Sequence, residues 1–390
     1  MRKLKIGAAG LGRAFGLMAP TLARDARLQL VAAADPRPEA LQQIHKDFGA
    51  RGFTSLESLL KESDAEVLYI ATPHQFHAEH ACLAASHGKH LLVEKPMALT
   101  LKDCRAMIAA ARKAGVQLIV GHSHSFDRPI LETRKIIEQG AVGQLRMITA
   151  INFTDFLYRP RRPEELDTAR GGGAMFSQAA HHVDVVRLLG GGRVKSVRAA
   201  TGRWDPSRPT EGAYACFLTF KDGAVASMVY SGYAHFDSDE FCGWIGEVGQ
   251  KKDPAQYGAA RRFLSAGTDE LALKHVRNYG APGFVPPEER PLHQHFGPLI
   301  VSCDKADLRP LPTGVMVYAD GVQRLEALPA PDVPRAEVID ELYEAVVNGK
   351  APLHSGEWAL ATLEVILAML RSAGEGKEIA LKSQTSASLT

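Results

Sequence analysis

Short apolar runs alternate with longer amphipathic stretches up to about residue 120. Residues 4–9, 28–34, 67–71, 90–93 and 118–121 have the continuous apolar character of strands buried on both faces. Between them, residues 13–23, 38–48, 76–86 and 101–114 carry the spacing of helices. This alternation predicts a parallel sheet covered by helices on both sides. The punctuation agrees. Gly88 and Gly115 follow helical stretches as C-terminal stops, and Thr100 with Asp103 three residues on makes a capping-box-like start.

The pattern changes after about residue 125. A helix over 129–139 ends at Gly140. Strand spacing then dominates 145–153, 194–204, 213–220 and 224–233, with Lys221-Asp222-Gly223 as a hairpin turn between the last two. Further strands are expected at 299–303 and 315–318, and helices at 336–348 and 357–373. The expected class is therefore α/β: an N-terminal parallel-sheet domain over 1–125, then an α+β domain with a mostly antiparallel sheet over 126–381. The Ser/Thr-rich stretch 382–390 is expected to be a flexible tail.

At 390 residues the chain has room for two or three domains, and its 45% hydrophobic and 23% charged composition is that of a globular protein. A net charge of +2, with both signs mixed, demands neither nucleic acid nor an anionic membrane as partner. No apolar run reaches the ~18 residues of a membrane span, and no signal-peptide core follows the basic N-terminus. The five cysteines are scattered without a C-x-x-C pair, so reduced thiols in a cytoplasmic setting are expected.

The first strand runs into Gly10-Leu11-Gly12-Arg13-Ala14-Phe15-Gly16. Gly10 and Gly12 occupy the first two positions of G-x-G-x-x-G, a turn that brings a pyrophosphate to a helix N-terminus; Arg13, Ala14 and Phe15 open that helix. Phe15 stands where the third glycine is usual, which predicts a wider helix–strand contact. The second strand ends at Asp35, about 20 residues on, where a carboxylate binds the adenosine ribose. Together these predict a Rossmann domain for NAD. Arg37 leaves NADP open, since a guanidinium there would pair with a 2′-phosphate.

Three later segments carry a family resemblance. Thr72-Pro73-His74-Gln75-Phe76-His77 follows the apolar run 67–71, Glu94-Lys95-Pro96 follows the run 90–93, and Gly171-Gly172-Gly173 leads through Met175 and Ser177 to His181 and Asp184. In this order they resemble the Gfo/Idh/MocA oxidoreductases, whose patterns are T-P-N-x-x-H, E-K-P, and G-G-G followed by D-x-G-x-H-x-x-D. The resemblance implies that Thr72, Pro73, His77, Glu94 and Pro96 line the cofactor site. It also implies that Lys95 and His181 act on substrate and that Asp184 supports its helix. His74 replaces the usual Asn. Ser177 replaces the acidic residue one turn before the His in sugar and inositol members, which argues against a polyol substrate.

Alcohol oxidation needs an acceptor for the hydroxyl proton, and either Lys95 or His181 is expected to supply it. A lysine acting near neutrality must fall from ~10.4 by about 3 pH units, or ~4 kcal/mol, whereas a histidine needs little change. Arg159, Arg161 and Arg162, with Arg170 before the glycines, form either a solvated basic loop or a grip for carboxylates. Ser177, this loop and the late segment from Ser302 to Pro310 resemble the phthalate 4,5-cis-dihydrodiol dehydrogenase branch. The implied reaction takes an aromatic cis-dihydrodiol carboxylate to a catechol, with His124 as a further substrate contact. Histidines cluster near residues 74–90, 122–124 and 293–295, but their expected elements diverge, and no metal is expected. Two rivals stand beside this reading: a sugar, inositol or other polyol dehydrogenase, and a non-catalytic NAD(P) sensor of the same fold. A homo-oligomer, dimer or tetramer, is expected from the family.

Overall fold

The computed structural model describes residues 2–267, 269–285 and 291–387, and these form two compact units. The first holds residues 2–122, 271–285 and 332–360; the second holds the rest of the described chain. The first sheet contains β1 (Leu4–Ala9), β2 (Leu28–Ala34), β3 (Arg51–Phe53), β4 (Val67–Ile70), β5 (His90–Val93) and β6 (Leu118–Val120). Its order is β3-β2-β1-β4-β5-β6, and every pair is parallel. The connecting helices are α1 (Arg13–Arg24), α2 (Pro38–Phe48), α3 (Leu56–Glu62), α4 (His77–Ser86) and α5 (Leu101–Ala114).

The local chemistry explains these ends. Gly49 and Gly115 close α2 and α5 in the left-handed region, and Thr100 Oγ1 accepts from Asp103 N at the start of α5. β3 and α3 escaped the sequence reading. β3 has only three residues, and α3 is a two-turn helix that starts on the Ser55 cap.

Unit 2 opens with α6 (Arg128–Glu138) and β7 (Leu145–Phe153), then α7 (Gly173–Ser177) and α8 (Ala179–Leu189). β8 (Val194–Gly202), β9 (Ala213–Phe220) and β10 (Val225–Ser231) follow, then α9 (Ala259–Ser265) and α10 (Glu270–His275). After these come β11 (Leu299–Cys303), β12 (Ala306–Leu311), β13 (Gly314–Ala319) and β14 (Val322–Ala327), then α11 (Ala336–Val347), which belongs to the first unit, α12 (Gly356–Glu375) and β15 (Ile379–Ala380). The nine-stranded sheet has the order β14-β13-β12-β11-β7-β10-β9-β8-β15 and is antiparallel except between β7 and β10. Gly223 has φ 93° at the turn between β9 and β10, as the hairpin requires. β12 and β14 were not legible: β12 carries Pro310, and β14 is exposed along nearly its whole length.

Two expectations change. Residues 271–285 and 332–360 belong with the first unit rather than with a domain over 126–381. Val120 N donates to His354 O at 2.9 Å, and Arg27 pairs with Asp340 at 2.7 Å. Amphipathic spacing shows that a helix has a buried face but not which sheet it covers. The expected flexible tail is also held down as far as residue 387, with 388–390 outside the described residues. The backbone N–H groups of Lys382 and Ser383 donate to the Glu364 carboxylate, and Gln384 Nε2 donates to Ala361 O. Gln384 Oε1 in turn accepts from Arg187 Nε at 3.1 Å.

Arg187 lies in α8 with no exposed surface. Its Nη1 donates to Thr362 Oγ1, which donates to Asp184 Oδ1, each at 2.7 Å. Burial lowers the guanidinium to about 10, so it remains charged at neutral pH. Deleting residues 382–390 strips Gln384 and Thr385 from this buried cation. The expected outcome is a fall in Tm of about 5 °C, or ~2 kcal/mol, in a thermal melt. An unchanged Tm would show that the stretch carries no stabilising contact.

Candidate functional site

In the first unit the C-terminal ends of the strands carry the chemistry. Gly10 has φ 86°, and a Cβ there would stand 2.9 Å from Ala71 O and Thr72 N. Only glycine admits both that backbone and that approach. Gly12 starts α1 without a side-chain cap, and no acid lies in the first turn, so the helix dipole there favours an anion. Phe15 has no exposed surface; its ring meets Tyr279 edge-on at 4.9 Å and also neighbours Phe48 and Tyr69. The bulk expected to widen the helix–strand contact therefore becomes an anchor for a distant segment of the same unit.

Asp35 is buried and already takes four N–H donors. Leu11 N donates to Oδ2 at 2.7 Å, Arg37 N and Nε to Oδ1 at 2.9 and 3.0 Å, and Arg37 Nη2 to Oδ2 at 3.2 Å. The Arg37 guanidinium also donates to Leu11 O and Tyr279 O. It is thus held by the Asp35 carboxylate and two carbonyls of its own unit.

After β4, Thr72 and Pro73 lead into a short turn and α4. His77 is buried, with Nδ1 3.0 Å from Pro96 O and Nε2 2.9 Å from Thr72 O. It ties the Thr72 loop to the Lys95–Pro96 turn, whose peptide is cis. Burial pushes its imidazole below the usual range, and the facing carbonyls push back. Glu94 points away from solvent and accepts from Tyr69 OH at 2.7 Å. Burial raises its carboxyl above the ordinary value, against the opposing pull of Arg335 and Tyr69. Glu94 is thus a buried anchor, and Lys95 beside it is half-buried.

In the second unit Ser177 ends α7, the chain breaks at Gln178, and His181 stands in the first turn of α8. The expected continuous helix is therefore two. The His181 ring packs against His124 at 4.7 Å and Phe296 at 5.3 Å. His124 Nδ1 lies 2.6 Å from Asp127 Oδ2, so the carboxylate orients that ring. His182, the next residue, faces Tyr214 OH at 3.0 Å, and burial drives it down to about 3. Asp184 accepts from Ser125 Oγ as well as Thr362, which gives it the supporting role the resemblance implied.

The arginines separate. Arg161 is buried: its guanidinium lies 3.6 Å above the Phe156 ring centroid, and its Nε and Nη2 donate to Phe156 O. Its guanidinium is thus engaged by a ring face and a carbonyl of its own unit. Arg159 pairs with Asp155 at 2.9 Å, and Arg162 with Glu164 at 3.1 Å. Arg170 is exposed and makes no ion pair among the described residues, at the turn that leads into the glycines and α7. Asp127 and Phe296 were missed from the sequence. The H-x-x-D spacing from His124 was a signal for Asp127; Phe296 lies too far along the chain for any local pattern to place it.

A dinucleotide-type turn, an uncapped helix N-terminus and a lysine after the fifth strand define the first unit as that of a nicotinamide-dependent oxidoreductase. Residues 4–122 match the oxidoreductase family with an NAD-binding Rossmann fold, and residues 130–250 match the Gfo/Idh/MocA C-terminal domain. The chain is 49% identical, over 94% of both lengths, to the 1-carboxy-3-chloro-3,4-dihydroxycyclohexa-1,5-diene dehydrogenase of Comamonas testosteroni. It resembles the crystal structure of a dehydrogenase from Bordetella bronchiseptica RB50 at 42% identity and TM-score 0.92, covering 97% of this chain and 100% of that one. It also resembles the WlbA dehydrogenase of Bordetella pertussis, solved with NADH and UDP-GlcNAcA, at 25% identity and TM-score 0.67, covering 98% and 99%. The chain belongs to the Gfo/Idh/MocA oxidoreductase family, and it is an NAD-dependent dehydrogenase.

NAD fits the residues present. The bare Gly10–Gly12 backbone leaves room for the pyrophosphate, the N-terminal end of the α1 dipole attracts its charge, and Asp35 stands at the end of the second strand, where an adenosine ribose is bound. Among the described residues no group of three or more His, Cys, Asp or Glu side chains is arranged to hold a metal ion. No helix among them is long and apolar enough to cross a membrane.

The buried histidines set a pH dependence. His182 sits far below its unfolded value, so the unfolded chain binds more protons between pH 6.5 and about 3. Its contribution is intact above about pH 6.5 and is lost as pH falls through that window, by up to about 1.4 kcal/mol per pH unit. Urea titrations at pH 7.5, 6.0 and 5.0 should show a smaller loss of stability in His182→Phe than in the wild type. Equal slopes would mean that His182 is not held neutral in the folded protein.

Proposed function

We propose that the protein oxidises a carboxylated aromatic cis-dihydrodiol to the corresponding catechol with NAD+. The observation that carries this reading is the whole-length similarity to a dehydrogenase named for a carboxylated dihydroxycyclohexadiene. Ser177 supports it, since a polyol would lose the carboxylate that orients its hydroxyls. Bound NAD+ supplies the hydride acceptor.

Gly10, Gly12, Arg13, Ala14 and Phe15 shape the cofactor turn, Asp35 and Arg37 border the adenosine ribose, and Thr72, Pro73 and His77 with Glu94 and Pro96 border the nicotinamide half. Lys95 or His181 accepts the hydroxyl proton. His124, held by Asp127, keeps the His181 ring in place. Loss of hydride from one carbinol carbon and of its hydroxyl proton leaves a ketone. Transfer of the neighbouring carbinol hydrogen to that oxygen then restores the aromatic ring, so one NADH and one proton form per diol. Arg170 is the arginine left to meet the carboxylate. Five free cysteines support a reducing, cytoplasmic setting.

The protein also assembles with copies of itself. Phe217, Ser227, Thr149 and Ile300 lie in register across β9, β10, β7 and β11, and Phe217 and Ile300 are exposed, as is Met147 on β7. An apolar sheet face of this kind is suited to a dimer or tetramer contact.

NADH formation should be followed with carboxylated cis-dihydrodiols, uncarboxylated cis-dihydrodiols, inositols and sugars. Turnover of the carboxylated diols is expected, falling about 10²- to 10⁴-fold in Lys95→Ala. Arg170→Ala should raise KM for carboxylated diols alone, by about ten-fold. Turnover of inositol or sugars instead would replace the substrate class, and NADH binding without turnover of any alcohol would favour a sensor. Light scattering should give the mass of a dimer or tetramer, reduced to that of a single chain in Phe217→Glu; a monomeric wild type overturns the assembly.

A further inference from the structure

A strap from late in the chain crosses the dinucleotide turn. Residues 276–284 follow α10 and pack on α1 and α2 of the same unit. Tyr279 anchors it. The ring meets Phe15 at 4.9 Å and Phe284 at 5.5 Å, and the hydroxyl donates to Asp47 Oδ2 at 2.5 Å. Phe284 covers Gly16, where a Cβ would stand 3.4 Å from its ring. Gly280 has φ 70°, and a Cβ there would meet Ala40 Cα at 2.7 Å, so the strap backbone lies directly on α2. Between these contacts the Tyr279 carbonyl accepts from Arg37 Nη1 at 3.3 Å.

A strap held at these points leaves Asn278 little choice of position. Its Oδ1 lies 3.8 Å from the place a Cβ on Gly12 would occupy, and that atom is Gly12's nearest outside neighbour. Its carboxamide makes no hydrogen bond to the described residues. Gly12 is the position at which a pyrophosphate approaches the backbone. Asp35, the expected acceptor for the adenosine ribose, already takes four N–H donors. A cofactor approaching the glycine turn therefore meets an open carboxamide, while the carboxylate at the end of the second strand is already filled.

We propose that Asn278 is a cofactor-binding residue that reads the adenosine half of NAD. Its Oδ1 accepts from a ribose hydroxyl, and its NH₂ group donates to the adjacent pyrophosphate. The strap also selects against a 2′-phosphate. It presents a carbonyl-type acceptor where that phosphate would need donors, and its Tyr279 carbonyl takes up a donor of Arg37. This rests on the binding of NAD by the first unit.

The test is calorimetric titration of the full-length protein with NADH, NADPH and ADP-ribose, for the wild type, Asn278→Ala and Asn278→Asp. Asn278→Ala should weaken NADH and ADP-ribose alike by about ten-fold, with the Tm of the ligand-free protein unchanged. Asn278→Asp should weaken both further, because a carboxylate would face the pyrophosphate, and added salt should recover part of the loss. NADH and ADP-ribose affinities unchanged in Asn278→Ala would overturn the role of Asn278. A wild type that binds NADPH as tightly as NADH would overturn the selection by the strap. A wild type that binds neither would overturn the cofactor assignment itself.

Discussion

The turn after β1 exists only because residue 10 has no side chain. Its backbone lies in the left-handed region, and any Cβ would strike the chain at Ala71 and Thr72. That approach seats the N-terminus of α1 at the end of the sheet where β1 and β4 diverge. The order β3-β2-β1-β4-β5-β6 reverses direction there, which is where an open parallel sheet leaves a crevice. The register then does the rest. Ala9 pairs with Ile70 and Ile70 with Val93, so Gly10, Ala71 and Glu94 emerge at one edge. Thr72 and Lys95 follow each by one residue.

The second unit meets a different constraint. Its histidine stands on a helix that is buried along most of its length, and that helix contains a charged pair. Asp184 and Arg187 share Thr362, while Ser125 and Gln384 complete their hydrogen bonds. Buried charges of this kind hold position because each alternative placement would strand one of them. His181, in the first turn of that helix, inherits the rigidity. The His124 ring and its Asp127 partner add a second restraint from a separate loop. The loop arginines show the same economy. Most are spent on carboxylates, carbonyls and ring faces within the unit, and Arg170 stays exposed beside the glycines.

The tethering of Arg37 changes the meaning of the second strand's end. A carboxylate followed two residues later by an arginine reads as two competing specificities when the residues are considered separately. In the folded unit they form one knot with Leu11 and Tyr279. The carboxylate orients the arginine, the arginine holds the strap, and the strap carries an unused amide to the glycine turn.

Much of this was legible in the amino-acid order. The strands β1, β2, β5, β7, β9 and β11 and the helices α2 and α5 follow from local spacing, because a buried strand or an amphipathic helix writes its period directly into neighbouring residues. Gly10, Lys95 and His181 are visible for the same reason: each lies in a short motif whose chemistry depends on adjacent positions. β3, β12 and β14 were not visible, being three residues long, interrupted by proline, or exposed throughout. Nor could the sequence show that residues 271–285 and 332–360 return to the first unit, that 382–384 are pinned to Glu364, or that Arg161 faces a ring rather than solvent. These depend on partners far away along the chain. Local periodicity specifies which face of an element is buried. Only tertiary packing decides what it is buried against, and so which of its polar groups are left for a ligand.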